Sequence, residues 1–110
     1  LVALVLYDGA VNMGPLRAAR QLQSACNAFA GGALRLDGEI GRKTLDRARE
    51  LCPDGNGQLA LALACLTRRD EFYRALVDSQ NKYAVFLHGW LNRTSALRRY
   101  VRELLERGEA

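Results

Sequence analysis

Cleavage of a glycosidic bond needs at least one positioned carboxylic acid, and the chain offers Asp8, Asp37, Glu39, Asp70 and Glu71 as places to look for one. Asp37 is accounted for by the Asp37-Gly38 turn, and Asp70 and Glu71 fit the solvated side of a helix or pairing with Arg68, Arg69 or Arg74. Asp8 is different. It stands in an apolar run four residues before Asn12, and one helical turn puts the two on the same face. Such a pair is either buried and mutually hydrogen-bonded or part of the wall of a cleft. Other chemistries have less to work with. His88 is the only histidine, which excludes a His-rich metal site or a histidine relay pair within the chain; beside Gly89 and Trp90 it reads as a partly buried polar contact. There is no phosphate-cradling Gly-rich loop and no dinucleotide fingerprint, so neither cofactor nor metal is expected. Cys26, Cys52 and Cys65 are an odd set without C-x-x-C spacing, and each falls among apolar residues. They read as buried thiols, with at most one disulfide possible and none expected.

The element that must position these residues is the stretch Asp37-Gly38-Glu39-Ile40-Gly41-Arg42-Lys43-Thr44. Asp37 can bond its own downstream backbone and Gly38 accepts positive φ, so a turn forms there. Gly41 then serves as a helix N-cap, and Thr44 falls at the third helical position, where its hydroxyl can meet unpaired N–H groups. On this reading Asp37, Gly38 and Gly41 are structural turn residues, as is Gly14 ahead of Pro15.

Helical periodicity dominates the rest of the chain. Residues 1 to 13 read as a short helix, apolar enough to lie in the core. Pro15 suits the first position of a second helix, with Leu16, Ala19, Leu22, Cys26 and Phe29 on one face and Gly31-Gly32 as its stop. Leu34 and Leu36 lead into the Asp37 turn and anchor it from below. A third helix covers about Arg42 to Leu51, and Pro53 to Gly57 is a loop. A fourth runs from about Gln58 to Val77 on a stripe of Leu59, Leu63, Leu66, Tyr73, Leu76 and Val77. Tyr83, Phe86, Trp90, Leu97, Val101 and Leu104 then fit one helix to about Arg107, or two with a restart capped by Thr94 or Ser95. No stretch alternates at period two. The expectation is an all-α, compact bundle of five or six helices with short connections, in one domain spanning residues 1–110.

Sixteen Lys and Arg against twelve Asp and Glu give a charge of +4, which suits an anionic polymer: nucleic acid, an acidic membrane surface or a bacterial wall. The basic residues are scattered, and the last helix mixes Arg98, Arg99 and Arg102 with Glu103 and Glu106, so nucleic acid is not the expected partner. No segment approaches the ~18 apolar residues of a membrane span. The chain begins at Leu1, without Met, inside an apolar run, and reads as a soluble piece of a longer protein.

Three blocks in order carry a resemblance: Tyr7-Asp8-Gly9-Ala10-Val11-Asn12-Met13-Gly14 with Ala18-Ala19 and Leu22-Gln23; then Asp37 to Thr44; then Arg69, Phe72-Tyr73-Arg74, Lys82-Tyr83, Phe86-Leu87 and Gly89-Trp90-Leu91-Asn92-Arg93. Over about residues 4 to 95 the chain resembles the C-terminal half of the glycoside hydrolase family 108 muramidases, the region known as the type 3 peptidoglycan-binding domain. The resemblance implies a lysozyme-like, all-helical lobe of a phage endolysin or bacterial lysin that acts on the cell wall, in the periplasm or cell envelope. It also implies a catalytic Glu in an upstream Glu-Gly-Gly. No Glu-Gly-Gly occurs in this chain, so no catalytic residue is carried over. Tyr7 replaces a common Phe, and its phenol could add a hydrogen bond to sugar.

The residues expected to meet peptidoglycan are Tyr7, Asp8, Asn12, Thr44, Lys82, Tyr83, Trp90, Asn92 and Arg93. Sugar rings lie on Tyr7, Tyr83 or Trp90; Asn12, Asn92 and Thr44 bond N-acetyl and hydroxyl groups; Arg93 or Lys82 meets carboxylates. Against this, helical spacing alone would place at least two of Tyr83, Phe86 and Trp90 in the core. The other functional reading is a non-catalytic helical protein-interaction module associated with secretion or the wall.

Overall fold

Proline has no N–H to donate and its fixed φ suits a first helical position, so a Gly14-Pro15 step between two apolar-periodic runs ends one helix and starts another. In the computed structural model α1, Val2–Met13, stops at Gly14 with φ 93°, and α2, Pro15–Ala30, follows at once. The structure describes residues 1–30 and 34–108; the Gly31-Gly32 stop expected for α2 lies outside the described residues. α3, Arg42–Leu51, begins after the extended N-cap Gly41. α4, Gly55–Ser79, is capped by Asp54, whose side chain accepts from the Gly57 N–H at 2.9 Å. That cap gives a first helical turn to Gly55-Asn56-Gly57, residues whose composition reads as loop. A 3-10 turn, Asn81–Tyr83, leads into α5, Ala84–Glu106.

The fold is all-α, with five α-helices and no strand among the described residues. The last helix is a single element. Thr94, a candidate cap for a restart, is instead buried in the middle of α5, with its hydroxyl against the Asp70 carboxylate and the Leu91 carbonyl. Arg98 Nη2 lies 2.6 Å from the other Asp70 oxygen. Asp70 therefore ties α4 to α5 and does not face solvent or its neighbouring arginines.

α4 is the central helix, touching all four others. The main core joins Val5, Leu22, Ala25, Cys26, Leu61, Ala62, Cys65, Leu66 and Val101. Burying leucines such as Leu22, Leu61 and Leu66 is worth roughly 1.5–3 kcal/mol each. A smaller cluster of Met13, Ala18 and Tyr73 is closed by Leu87 and Trp90 from α5. Two expected stripes are displaced. The buried face of α4 runs through Leu61, Cys65, Leu66, Arg69 and Tyr73, while Leu59 and Leu63 sit at its margin. α1 is not wholly internal: it buries Val5, Asp8, Gly9 and Met13 and leaves Leu4, Tyr7 and Val11 exposed. Leu36 is exposed too, so of the two leucines Leu34 alone packs against the core. All three cysteines are free thiols, Cys26 and Cys65 buried and Cys52 half-buried; burial pushes the Cys65 thiol up to about 12. Among the described residues no helix is long and apolar enough to cross a membrane.

Candidate functional site

A carboxylate on the inner face of an apolar helix must find cations or give up its charge. Asp8, only 8% exposed, finds two. Arg69 reaches it from α4, with Nη1 2.7 Å from Asp8 Oδ2. Arg93 reaches it from α5, donating through Nε at 3.1 Å and again through Nη2. Burial by itself would raise the Asp8 carboxyl; the contacts and charges of Arg93 and Arg69 outweigh it and hold the group below its ordinary value. Asn12 completes the arrangement, its Nδ2 donating to the Asp8 carbonyl at 2.8 Å and more weakly to Oδ2 at 3.4 Å. Of the two readings open for the Asp8–Asn12 pair, the hydrogen-bonded one describes the contact, and the position of Arg93 adds a surface to it. The Arg93 side chain is 55% exposed, so the clamp runs from the interior outward.

Arg69 forms the inner end. It is 1% exposed, donates through Nε to the Tyr73 hydroxyl at 3.0 Å, and has no hydrogen-bond partner for Nη2 among the described residues. The Tyr73 ring is in turn stacked on Trp90 at 4.7 Å between centroids. Trp90 also meets Phe86 at 5.8 Å and Tyr83 at 6.3 Å, and Lys82 Nζ lies 5.2 Å from the Tyr83 centroid. An unbroken chain of contacts therefore joins Asn12 and Asp8 on α1, through Arg69 and Tyr73, to Trp90, Tyr83 and Lys82. Tyr7, the residue before Asp8, is 72% exposed, and Asn92 adjoins Arg93 on an exposed part of α5. Of the aromatic trio, Trp90 and Tyr83 are half-buried and Phe86 is exposed, so none is fully interior. His88 is exposed as well, not tucked into a polar contact.

Thr44 belongs to a second cluster. Gly41 caps α3 as expected, but no side chain caps its N–H groups. Thr44 is buried, and its hydroxyl accepts from Gln23 Nε2 at 3.2 Å. The same Gln23 nitrogen donates to Asp37 Oδ1 and the Glu39 carbonyl, both at 3.0 Å, while Gln23 Oε1 accepts from the Gly38 N–H at 2.9 Å. Asp37 bonds its downstream backbone, accepting from the Glu39 N–H at 2.9 Å. That bond first, and then Gln23, holds the Asp37 carboxyl below its ordinary value. Gly38 has φ 78°, where a side chain is strained, and a Cβ there would also displace Leu16 Cδ1 from 2.2 Å away. A cleft of about 330 Å3 opens over this turn.

Two residues that organise these clusters carried no site expectation. Gln23 is a glutamine on the apolar face of α2 beside Leu22 and Cys26, and Arg69 is an arginine one turn from both Cys65 and Tyr73 on α4. A polar residue on a buried stripe was the available signal. The partners themselves are distant, Asp8 and Arg93 being 85 residues apart.

A family model described as Predicted Peptidoglycan domain matches residues 17–95. The matched span runs from α2 into α5, holding Gln23, the Asp37 turn, Arg69 and Arg93, with Asp8 and the rest of α1 before it. No curated protein and no solved structure matches the chain.

Proposed function

The chain belongs to the Predicted Peptidoglycan domain family, and from that premise we propose that it binds the glycan of bacterial peptidoglycan on its α1/α5 face as the C-terminal lobe of a muramidase-type lysin. The observation that carries this reading is the Asp8 clamp, which ties Asn12 of α1 and the half-exposed Arg93 of α5 to one carboxylate, with the exposed Tyr7 and Asn92 as their neighbours along the two helices. Tyr7 offers a ring face to a sugar. Asn12, with its amide nitrogen committed to Asp8, keeps its carbonyl oxygen for an N-acetyl N–H, and Asn92 and Arg93 Nη1, which has no hydrogen bond among the described residues, supply donors. Tyr83 and Trp90 extend the aromatic surface toward Lys82. Thr44 lies apart from this face and takes no direct share in glycan binding; it holds Gln23 beneath the Asp37 turn.

Cleavage belongs to an upstream segment carrying the acid. A general acid needs a raised pKa, whereas Asp8 and Asp37 are both held low, Asp8 by two arginines and Asp37 by its turn. Leu4, Tyr7 and Val11 form an exposed apolar edge on α1, and this edge suits the opposite wall of a cleft shared with that segment. The action is at the cell wall.

The test is co-sedimentation with purified sacculi. The wild-type chain is retained, and Tyr7→Ala and Asn12→Ala are retained less. Absence of retention, or variants that sediment like wild type, removes the reading.

A further inference from the structure

A cleft of about 440 Å3 opens between α2 and α4, with Arg17, Arg20 and Arg68 on its walls. Arg17 lies over the Phe72 ring, 5.1 Å from its centroid, and its Nη1 donates to the Met13 carbonyl at 3.4 Å, so the cleft starts where α1 ends. Arg68 donates to Ser24 Oγ at 2.9 Å and to the Ala64 carbonyl at 3.1 Å. These contacts orient two guanidinium groups without neutralising either. Among the described residues none of the three arginines forms an ion pair, and Arg20, exposed, makes no hydrogen bond either. Among the described residues the one carboxylate on the lining is Glu71, so three cations accompany one anion beside apolar Phe72, Ala75 and the half-exposed Leu36.

Guanidinium groups read carboxylates with paired donors. A phosphate polymer would use the arginines and leave the floor idle. A ligand with both carboxylates and small apolar side chains uses the whole cleft, and the peptidoglycan stem peptide, with its carboxylates and alanine methyl groups, has that chemistry. The cations of the α1/α5 face suit it less: Arg93 is bound to Asp8, and Lys82 lies over Tyr83.

We propose that the α2/α4 cleft is the subsite for the acidic stem peptide, with carboxylates on Arg17, Arg20 and Arg68 and alanine methyl groups on Phe72 and Leu36. This inference rests on the wall-binding reading above and assigns the peptide a surface separate from that of the glycan.

Calorimetric titration of the 110-residue chain with a free stem tetrapeptide tests it, comparing wild type with Arg20→Glu. Arg20 has no partner to lose, and an unchanged thermal melt verifies the fold of the variant. Reversing one ligand-binding charge is expected to weaken the tetrapeptide about tenfold or more. Equal affinities overturn the proposal, as does tighter binding to phosphatidylglycerol vesicles or duplex DNA with the same dependence on Arg20. Sedimentation with intact sacculi separates the two claims. Retention on sacculi without tetrapeptide binding removes the cleft assignment and leaves the wall reading standing. Arg20-dependent tetrapeptide binding without retention does the reverse, and loss of both removes both.

Discussion

Asp8 shows how a buried charge is held in place by what surrounds it. Removing one partner of a buried ion pair leaves the other uncompensated and typically costs about 3–5 kcal/mol. Asp8→Asn strands Arg69, which has no other carboxylate within reach among the described residues, and is expected to lose stability of that order in urea unfolding at neutral pH. The sign of the pH dependence follows from the lowered carboxyl. Its folded value lies below the ordinary 3.8, so its contribution is fully present above about 3.8 and is lost as pH falls through the lower folded value. The gap between wild type and Asp8→Asn should therefore be constant from neutral pH down to the ordinary carboxyl range and narrow below it. A gap independent of pH to the acid limit would mean that the charge of Asp8 is not what stabilises the fold.

Among elements, the helices were legible because apolar residues recur at three and four along most of the chain, and Gly14-Pro15 and the Asp37 turn have local causes. What periodicity does not give is the direction in which a stripe faces. α1 is almost wholly apolar at its start, so nothing local distinguishes the buried Val5 from the exposed Leu4; packing against α2 and α4 decides it. The α4 start was missed for a similar reason: two glycines read as loop, but the Asp54 cap and the close passage of the α3 end make them helical. That passage predicts opposite outcomes for two helical glycines. A Cβ on Gly57 would lie 2.5 Å from the Leu51 carbonyl oxygen and 3.1 Å from Cys52 Cα, so Gly57→Ala should destabilise by about 1–3 kcal/mol, as overpacking does. Gly89 in α5 has nothing within 4 Å, and Gly89→Ala should stabilise by about 0.5–1 kcal/mol. Thermal melts of the two variants give the comparison, and shifts of the same sign would contradict it.

For the molecule as a whole, the all-α architecture and the peptidoglycan assignment were readable from the sequence, because helical period and short blocks survive without knowledge of packing. The grouping of the site was not. Eight of the nine residues singled out for peptidoglycan lie on α1, the 3-10 turn and α5, and the ninth, Thr44, lies under another surface. The sequence puts Asp8 and Arg93 at opposite ends of the chain, and only the docking of both helices on α4 joins them. With +4 net charge and exposed arginines in the α2/α4 cleft, retention on sacculi should decline as salt is raised, since exposed charges are screened over about 8 Å at physiological ionic strength. Retention that does not change with salt would assign binding to the aromatic face alone.

If the Asp8 clamp organises a glycan-binding face on α1 and α5, an amide chemical-shift titration of the isotope-labelled chain with a peptide-free oligomer of the wall glycan will register it. Saturable shifts are expected, centred on Tyr7 to Asn12 and on Asn92 and Arg93, with the Asp37 turn little affected. Saturable shifts confined to other helices, or no binding of the oligomer, would contradict it.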